Sequence, residues 1–571
     1  MLPYQAPIDD MLFLLFEVYQ AQQQWQEQGL ALSADEAEAV LREAARQQQE
    51  LFAPLLRQGD QGCVWQQGRV QTPEGFVAAY RQWAEAGWLG LAGEPNYGGA
   101  GMPKLLSLFV DEMQHAANSA LALYPLLSAG AALLLLHHGS EQQKQLLLPK
   151  LYSGQWAGTM CLTEPHAGSD LGLLRSKAEP EAEHYLLSGS KIFITGGEQD
   201  LTENIIHLVL ARLPDAPPGV KGISLFMVPK VLFDAEGQLQ QANGVHCASL
   251  EHKMGIKGSS TAVLHFDQAK AWLVGEPHQG LAQMFTMMNY ERLTIGLQGL
   301  GLAERALQIA KSYAQDRRQG RRPGGVLEPE QPADPLTALP DVRRMLLDVQ
   351  VMVEGGRALA TYCGLWLDRA KSGDALAQGR VALLTPVVKA YLTDQGFQAC
   401  VTAQQVLGGH GYVSEWGIEQ LVRDARIAQI YEGTNGIQAL DLLGRKVVAN
   451  GGQWLKAWLE EARTLCWQGP EGARLAKTLD RIEEATDFVL TTERDQALLI
   501  NAVAVDFLHL LALGVQGQQW LLIQRRIANR AEEFQHKQLM ALYFEQRLLI
   551  QDRWLLERIL SGHGLITQAS L

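Results

Sequence analysis

The spacing of apolar residues changes period twice along this chain, and that change constrains the fold more than any other feature. From residue 8 to about 150 the apolar positions recur at helical intervals. Between about 158 and 277 they break into short β-rich runs, and from about 278 the helical interval returns. A helix buries a stripe every 3.6 residues while a strand alternates faces every two, so one segment does not serve both patterns. The spacing predicts an α+β chain, mainly α: an N-terminal helical domain (1–157), a central β domain (158–277), a helical bundle (278–450) and an additional C-terminal helical domain (451–571). Its 571 residues are enough for several such units.

Local signals agree. Ser33 followed by Glu36 is a capping box at a helix start. KIFITGG (191–197), NIIHLVLARL (204–213), GISLFMVP (222–229) and TAVLHFD (261–267) read as strands separated by glycine, asparagine and proline. The Gly/Pro/Arg-rich stretch 318–335 interrupts the later helices as a surface loop. Beyond 450, three or four helix-length segments include an apolar one around Ala502–Leu513. Gly296, Gly299 and Gly301 open no βαβ unit, so they predict close helix packing, not a dinucleotide loop.

Composition excludes several classes. With 48 Lys and Arg against 62 Asp and Glu, the formal net charge is −14, which disfavours nucleic acid as a partner. The six cysteines form no CxxC pair, so no zinc ribbon or redox dithiol is expected, no metal site is predicted, and a reducing compartment follows. Asp9 and Asp10 precede the first apolar run, where a secretory signal carries Lys or Arg. The longest apolar stretch, Ala120–Leu136, contains Pro125 and is expected to be a buried helix and not a membrane span. The expected location is the cytoplasm.

Three segments can carry chemistry. MCLTEPHAGSD (160–170) joins helical to β structure with hydroxyls and free amides able to meet a polar ring edge or an anion, although a plain capped turn has the same composition. GGHGY (408–412) lets either a cofactor or a second helix approach the backbone. RIAQIYEGTNGIQ (426–438) ends a helix with a carboxylate, Glu432, among Ile430, Tyr431 and Ile437. Poorly solvated, it can act as a base near neutral pH; solvated, it is a surface glutamate at a helix end.

Together these segments resemble the acyl-CoA dehydrogenase family over roughly residues 75–450. One family signature is similar to CLTEPHAGSD from Cys161 and another to QVLGGHGYVSEWGIEQLVRD from Gln405 to Asp424, with KIFITGG and KMGIKGSSTAVLHFD (from Lys253) between them in the family's order. The opening YQAPIDD (Tyr4–Asp10), CLTEPHAGSDLGLLRSKAEP and the helices beyond 450 look like the long bacterial subgroup with an extra C-terminal helical domain, which includes enzymes of methylthiopropanoyl-CoA.

The resemblance implies a β-barrel or sandwich as the central domain, a four-helix bundle after it, and an FAD-dependent α,β-dehydrogenation of an acyl-CoA to the trans-2-enoyl-CoA. The implied substrate is methylthiopropanoyl-CoA or a fatty acyl-CoA. Glu432 stands at the family's base position, removing the α-proton while the β-hydrogen leaves as hydride to flavin N5. Glu291 in NYERLTIG stands where other members carry their base, and is weighed below Glu432. For FAD the resemblance implies Leu162, Thr163, Phe193 and Thr195 around the isoalloxazine, Ser169 by the pyrophosphate or substrate, Arg317 at the pyrophosphate, Gln405, Gly408 and Gly409 toward a second subunit's adenosine half, and Thr434. Phe193 replaces the usual tryptophan and Met160 the usual tyrosine. Substrate contacts fall to Ser169, Glu291, Arg292, Tyr431 and Gly433. The implied partners are an electron-transfer flavoprotein as electron acceptor and a second copy, as a homodimer or dimer of dimers. An acyl-CoA oxidase and a DNA-binding flavoprotein of the same fold are the alternatives.

Overall fold

β structure begins earlier than the apolar spacing predicts. In the computed structural model, which describes residues 3–492 and 496–568, β1 (Val64–Gln66) and β2 (Arg69–Gln71) pair as an antiparallel hairpin. Gln67 and Gly68 both adopt positive φ, 51° and 80°, a turn whose twist matches that of the strands it joins. The N-terminal stretch is therefore not all helix. Only Val70 of these six strand residues is buried, so two-residue alternation leaves little trace in a longer helical pattern. The expected first and last domains reach residues 1–2, 493–495 and 569–571, which lie outside the described residues.

The chain divides into two compact units. The first holds Arg46–Pro103 and Ala117–Thr294. Its main sheet contains β3 (Trp156–Cys161), β4 (Lys177–Glu181), β5 (His184–Thr195), β6 (Asn204–Arg212), β7 (Ile223–Pro229), β10 (Val245–Leu250) and β11 (Thr261–Leu273); β8 (Val231–Phe233) and β9 (Leu239–Ala242) form a separate pair. The order is β10-β11-β5-β4-β6-β3, and β7 pairs with both β6 and β11. That double pairing closes β11, β5, β4, β6 and β7 into a small barrel.

Alternation sorts the strand residues into two cores. Ile206, Leu208 and Leu210 of β6, with Leu225 and Met227 of β7, pack against helix residues such as Ala131, Leu148 and Met284. Val209, Ala211, Phe226 and Val228 face Leu264 and Phe266 inside the barrel. Strands buried on both faces read as continuous apolar runs, and each fully buried large side chain contributes about 1.5–3 kcal/mol. The apolar stretch Ala120–Leu136 lies in the helix Lys104–His138, whose most apolar 18-residue window is 83% buried.

The second unit holds Met1–Ala45, Lys104–Ala116 and Ile295–Leu571. The Ser33–Glu36 capping box is present, with Ser33 N–H donating to Glu36 Oε2 at 2.9 Å and Glu36 N–H to Ser33 Oγ at 3.2 Å. The long helices Pro340–Ala370 and Ala375–Val406 pack on each other, and the Ile295–Asp316 part of the helix Gly280–Asp316 lies against both. The glycine series makes that packing possible: a Cβ on Gly296 would fall 2.9 Å from Val388 O and one on Gly299 2.5 Å from Leu392 O. The loop 318–335 is organised by buried Asp334, which accepts the backbone N–H of Arg322 and Glu328 at 2.8 and 2.9 Å.

Among the described residues beyond 450, the long helices Gln453–Cys466, Ala473–Thr491 and Gln496–Arg526 are joined by the shorter Gln535–Tyr543, Asp552–Ser561 and His563–Gln568. Gln496–Arg526 is the central helix of this layer. Two of its buried glutamines accept long-range bonds: Gln518 from Trp458 Nε1 at 2.8 Å and Gln519 from the Tyr19 hydroxyl at 2.7 Å.

Candidate active site

In the first unit the CLTEP and KIFIT motifs meet at the end of β3. Leu162 and Thr163 follow that strand directly, and Thr163 O accepts the N–H of Ile192 from β5 at 2.9 Å. This bond brings the CLTEP and KIFIT segments side by side. Two charges fix the pair from beneath. Lys191, wholly buried, donates to Leu162 O and to Glu164 Oε1, both at 2.9 Å. Glu164 also accepts from Arg175 N at 2.7 Å, Ser176 N at 3.0 Å and Ser176 Oγ at 2.7 Å. Neither residue stands out in the sequence; the lysine that opens KIFITGG and the glutamate of CLTEPHAGSD are the opposite charges whose pairing was the available signal.

Burial alone would raise the Glu164 carboxyl, but the Lys191 ammonium and the donors around it hold it at about 2. Its ordinary value is 4.5, so the pair contributes its full stabilisation above about pH 4.5, and that stabilisation is lost as pH falls toward 2. We expect Glu164→Gln to destabilise the protein by roughly 2–3 kcal/mol at pH 7. Denaturant melts should show the deficit shrinking below pH 4.5; a deficit constant with pH would contradict this.

β5 bulges opposite Val263, because Lys191 pairs with Leu264 but Ile194 pairs with Ala262. The bulge sets Phe193 at φ 61° and leaves its ring 58% exposed. A non-glycine residue in the left-handed region costs about 1–3 kcal/mol and persists where the surroundings impose it. Thr195 is half-buried and faces Thr261 across the ladder, while Ser169 is exposed. Glu291 is buried, its Oε1 so near the Gly130 backbone that a Cβ there would lie at 2.4 Å. Thr294 Oγ1 donates to Glu291 Oε2 at 3.5 Å. Arg292 is buried too, donating to Asn289 Oδ1 at 3.1 Å above the Phe285 ring.

In the second unit, Tyr431–Thr434 form a turn between the helical segment ending at Gln429 and the helix Asn435–Leu440. Glu432 and Gly433 are both left-handed, at φ 56° and 78°. Glycine accepts that φ freely; glutamate does not. Buried Lys389 donates to Gly433 O and Asn435 Oδ1, both at 2.9 Å. Gln438 Nε2 donates to Gly433 O at 3.1 Å and Glu432 O at 3.3 Å. The Tyr431 hydroxyl donates to Gln298 at 2.6 Å and Thr434 Oγ1 to Gln429 O at 3.2 Å. Glu432 is half-buried, and Ile430 beside it is 50% exposed.

Arg317 follows the long helix directly, with its backbone bonded to Tyr313 and Leu336 and its side chain exposed. The Tyr313 hydroxyl meets His410 Nδ1 at 2.9 Å, which ties the GGHGY turn to the same helix end. Gln405, Gly408 and Gly409 are exposed there, next to Tyr412 at 88% exposure.

Family models match nearly the whole chain: acyl-CoA dehydrogenase N-terminal domain over 34–155, middle domain over 159–269, C-terminal domain over 278–447, and acetyl-CoA dehydrogenase C-terminal like over 453–569. A 3-methylmercaptopropionyl-CoA dehydrogenase of Ruegeria pomeroyi is 43% identical, with 96% of each chain covered. A broad-specificity linear acyl-CoA dehydrogenase of Mycobacterium tuberculosis is 35% identical over 92% of this chain and 90% of its own. In fold, the chain is similar to Caenorhabditis elegans ACDH-11 in complex with C11-CoA (TM-score 0.79, 20% identity, 99% and 95% covered) and to a Bacillus anthracis acyl-CoA dehydrogenase complexed with FAD (TM-score 0.75, 22% identity, 95% and 89% covered). The chain belongs to the acyl-CoA dehydrogenase family, as an FAD-dependent oxidoreductase of acyl-CoA thioesters with the further C-terminal helical domain.

Proposed function

We propose that Glu432 is the base that takes the α-proton of the acyl thioester, and that methylthiopropanoyl-CoA or a fatty acyl-CoA is the substrate. One observation carries the reading of the base: Glu432 sits in a strained left-handed turn whose two carbonyls are gripped by buried Lys389 and by Gln438. Strain of this kind is retained where a side chain must be held in place for chemistry. The substrate reading rests on the 43% identical relative, named for 3-methylmercaptopropionyl-CoA.

The residues present fit FAD. Phe193 offers an exposed ring on a bulge, with half-buried Leu162 beside β5, as an apolar wall for a flat heterocycle, and the Thr163 and Thr195 hydroxyls can meet its polar edge. Exposed Arg317 suits a diphosphate, and a Cβ on Gly408 or Gly409 would meet nothing within 4 Å, so the backbone there is open to a nucleotide. FAD, when bound, supplies the two-electron acceptor for the β-hydrogen. Glu432 supplies the carboxylate that receives the proton, in a turn whose carbonyls Lys389 and Gln438 hold; Tyr431, Gly433, Glu291, Arg292 and Ser169 are the residues proposed to meet the substrate. Cytoplasmic location is supported by the six free cysteines. A homodimer is supported by the exposed Tyr412, Val413 and Trp416 beside the glycine turn, with an electron-transfer flavoprotein taking the electrons.

The test is anaerobic addition of acyl-CoAs, methylthiopropanoyl through palmitoyl, to the flavin-loaded protein. Loss of the flavin band with one or more of them supports the reading and ranks the chains. No loss with any of them overturns it, and rapid peroxide release in air would favour an oxidase.

A further inference from the structure

We propose that His509, on the central helix of the C-terminal domain, is a positioning residue for the turn that carries Glu432, acting through the carboxylate of Asp394. The inference rests on the reading of Glu432 as the base. It gives the C-terminal domain a role in catalysis that its distance in sequence from every motif hides.

Asp394 links His509 to that turn. Its Oδ1 accepts from Gln429 Nε2 at 2.6 Å and from Asn435 Nδ2 at 2.7 Å. Those two residues flank the turn 430–434, so a single oxygen ties both of its ends together. Asp394 Oδ2 meets His509 Nε2 at 3.0 Å. A carboxylate only accepts, so the favourable tautomer carries the hydrogen on Nε2 and donates it. Burial would raise the Asp394 carboxyl, yet the His509, Gln429 and Asn435 donors hold it below its ordinary value, as an anion.

The histidine is itself braced. Its ring meets Tyr391 edge-on at 5.7 Å, and the Tyr391 hydroxyl donates to Gln516 of the same C-terminal helix at 3.1 Å. Tyr391 and Asp394 belong to the helix Ala375–Val406, which also supplies Lys389 and Thr393 to the turn. Without the His509 bond, one Asp394 oxygen loses its donor and the carboxylate is free to rotate, which takes Oδ1 from Gln429 or Asn435. Lys389 and Gln438 still grip the Glu432–Gly433 carbonyls. The turn therefore forms but holds the carboxylate less accurately, and small displacements of a reacting group reduce rate more than binding.

The test compares His509→Ala, His509→Asn and His509→Gln in the full-length flavoprotein, with rates of anaerobic flavin reduction normalised to bound FAD. The glutamine amide reaches as far as the imidazole Nε2 and can donate to Asp394; the asparagine amide is one methylene short. We expect about a tenfold lower kcat for the alanine and asparagine variants, KM within about twofold, and recovery of most of the rate in the glutamine variant. The asparagine–glutamine pair keeps the comparison if the alanine variant yields no flavoprotein, since both retain a polar side chain at a partly exposed site. Equal kcat in the asparagine and glutamine variants, or a change confined to KM, would overturn the inference. If Glu432→Gln kept full activity the base assignment itself would fail; an inactive Glu432→Gln beside a fully active His509→Asn would reject only the role of His509.

Discussion

Glu432→Gln should fold, bind FAD and acyl-CoA, and lose turnover by about 10³-fold or more, since removing a positioned general base costs roughly 10²–10⁴. The amide keeps the size of the side chain and its neighbours but accepts no proton. Lys389, Gln438 and Asn435 hold the turn through backbone carbonyls and side chains that the substitution leaves in place. The loss should therefore fall on kcat, with KM changed little. Steady-state assays with an artificial electron acceptor read both. A loss expressed mainly in KM would mean that Glu432 binds the substrate and does not take its proton.

Arg357→Met should be the most destabilising single substitution in the second unit. This buried guanidinium donates to Glu112 at 2.6 and 2.9 Å and to Glu304 at 2.7 Å, and it also pairs with Asp10. One cation thus joins the opening YQAPIDD segment to three helices. Removing it leaves three carboxylates facing each other out of water, which costs about 3–5 kcal/mol. The effect has a pH signature. Burial pushes the Glu112 carboxyl up to about 7 even against Arg357, from an ordinary 4.5. A carboxyl raised in the folded state favours folding where it is protonated, so the variant should recover stability as pH falls from 7 toward 4.5. Denaturant midpoints of both proteins at pH 7.5 and 5.5 check this; an equal deficit at the two values would contradict it.

Much of the architecture was legible because it follows from periodicity. β6 and β7 read as strands since Ile206, Leu208 and Leu210 alternate with Val209 and Ala211 between two cores. The glycines at 296 and 299 read as helix packing because they open no βαβ unit, and their would-be Cβ positions confirm it. The β1–β2 hairpin escaped because three residues per strand are too few to shift a helical pattern, although Gln67–Gly68 between valine-containing runs was a usable turn signal.

At the site, sequence located the motifs but not what holds them. Nothing local to Phe193 or Glu432 announces a left-handed φ, which is imposed by the bulge against β11 in one case and by Lys389 and Gln438 in the other. Lys191 and Lys389 look like ordinary surface lysines in a sequence, yet both are wholly buried and both donate to carbonyls of the motif turns. The His509–Asp394 bond joins residues 115 positions apart, a separation at which no spacing rule operates.

The most direct test of the account is a side-by-side anaerobic stopped-flow record of the flavin band in wild type, Glu432→Gln and Glu291→Gln, each mixed with the acyl-CoA that the wild type oxidises fastest. The account predicts rapid bleaching in wild type, bleaching in Glu291→Gln, and a band that shifts on binding but stays oxidised in Glu432→Gln. Bleaching that survives in Glu432→Gln and disappears in Glu291→Gln would contradict it and move the base to the helix that carries Glu291.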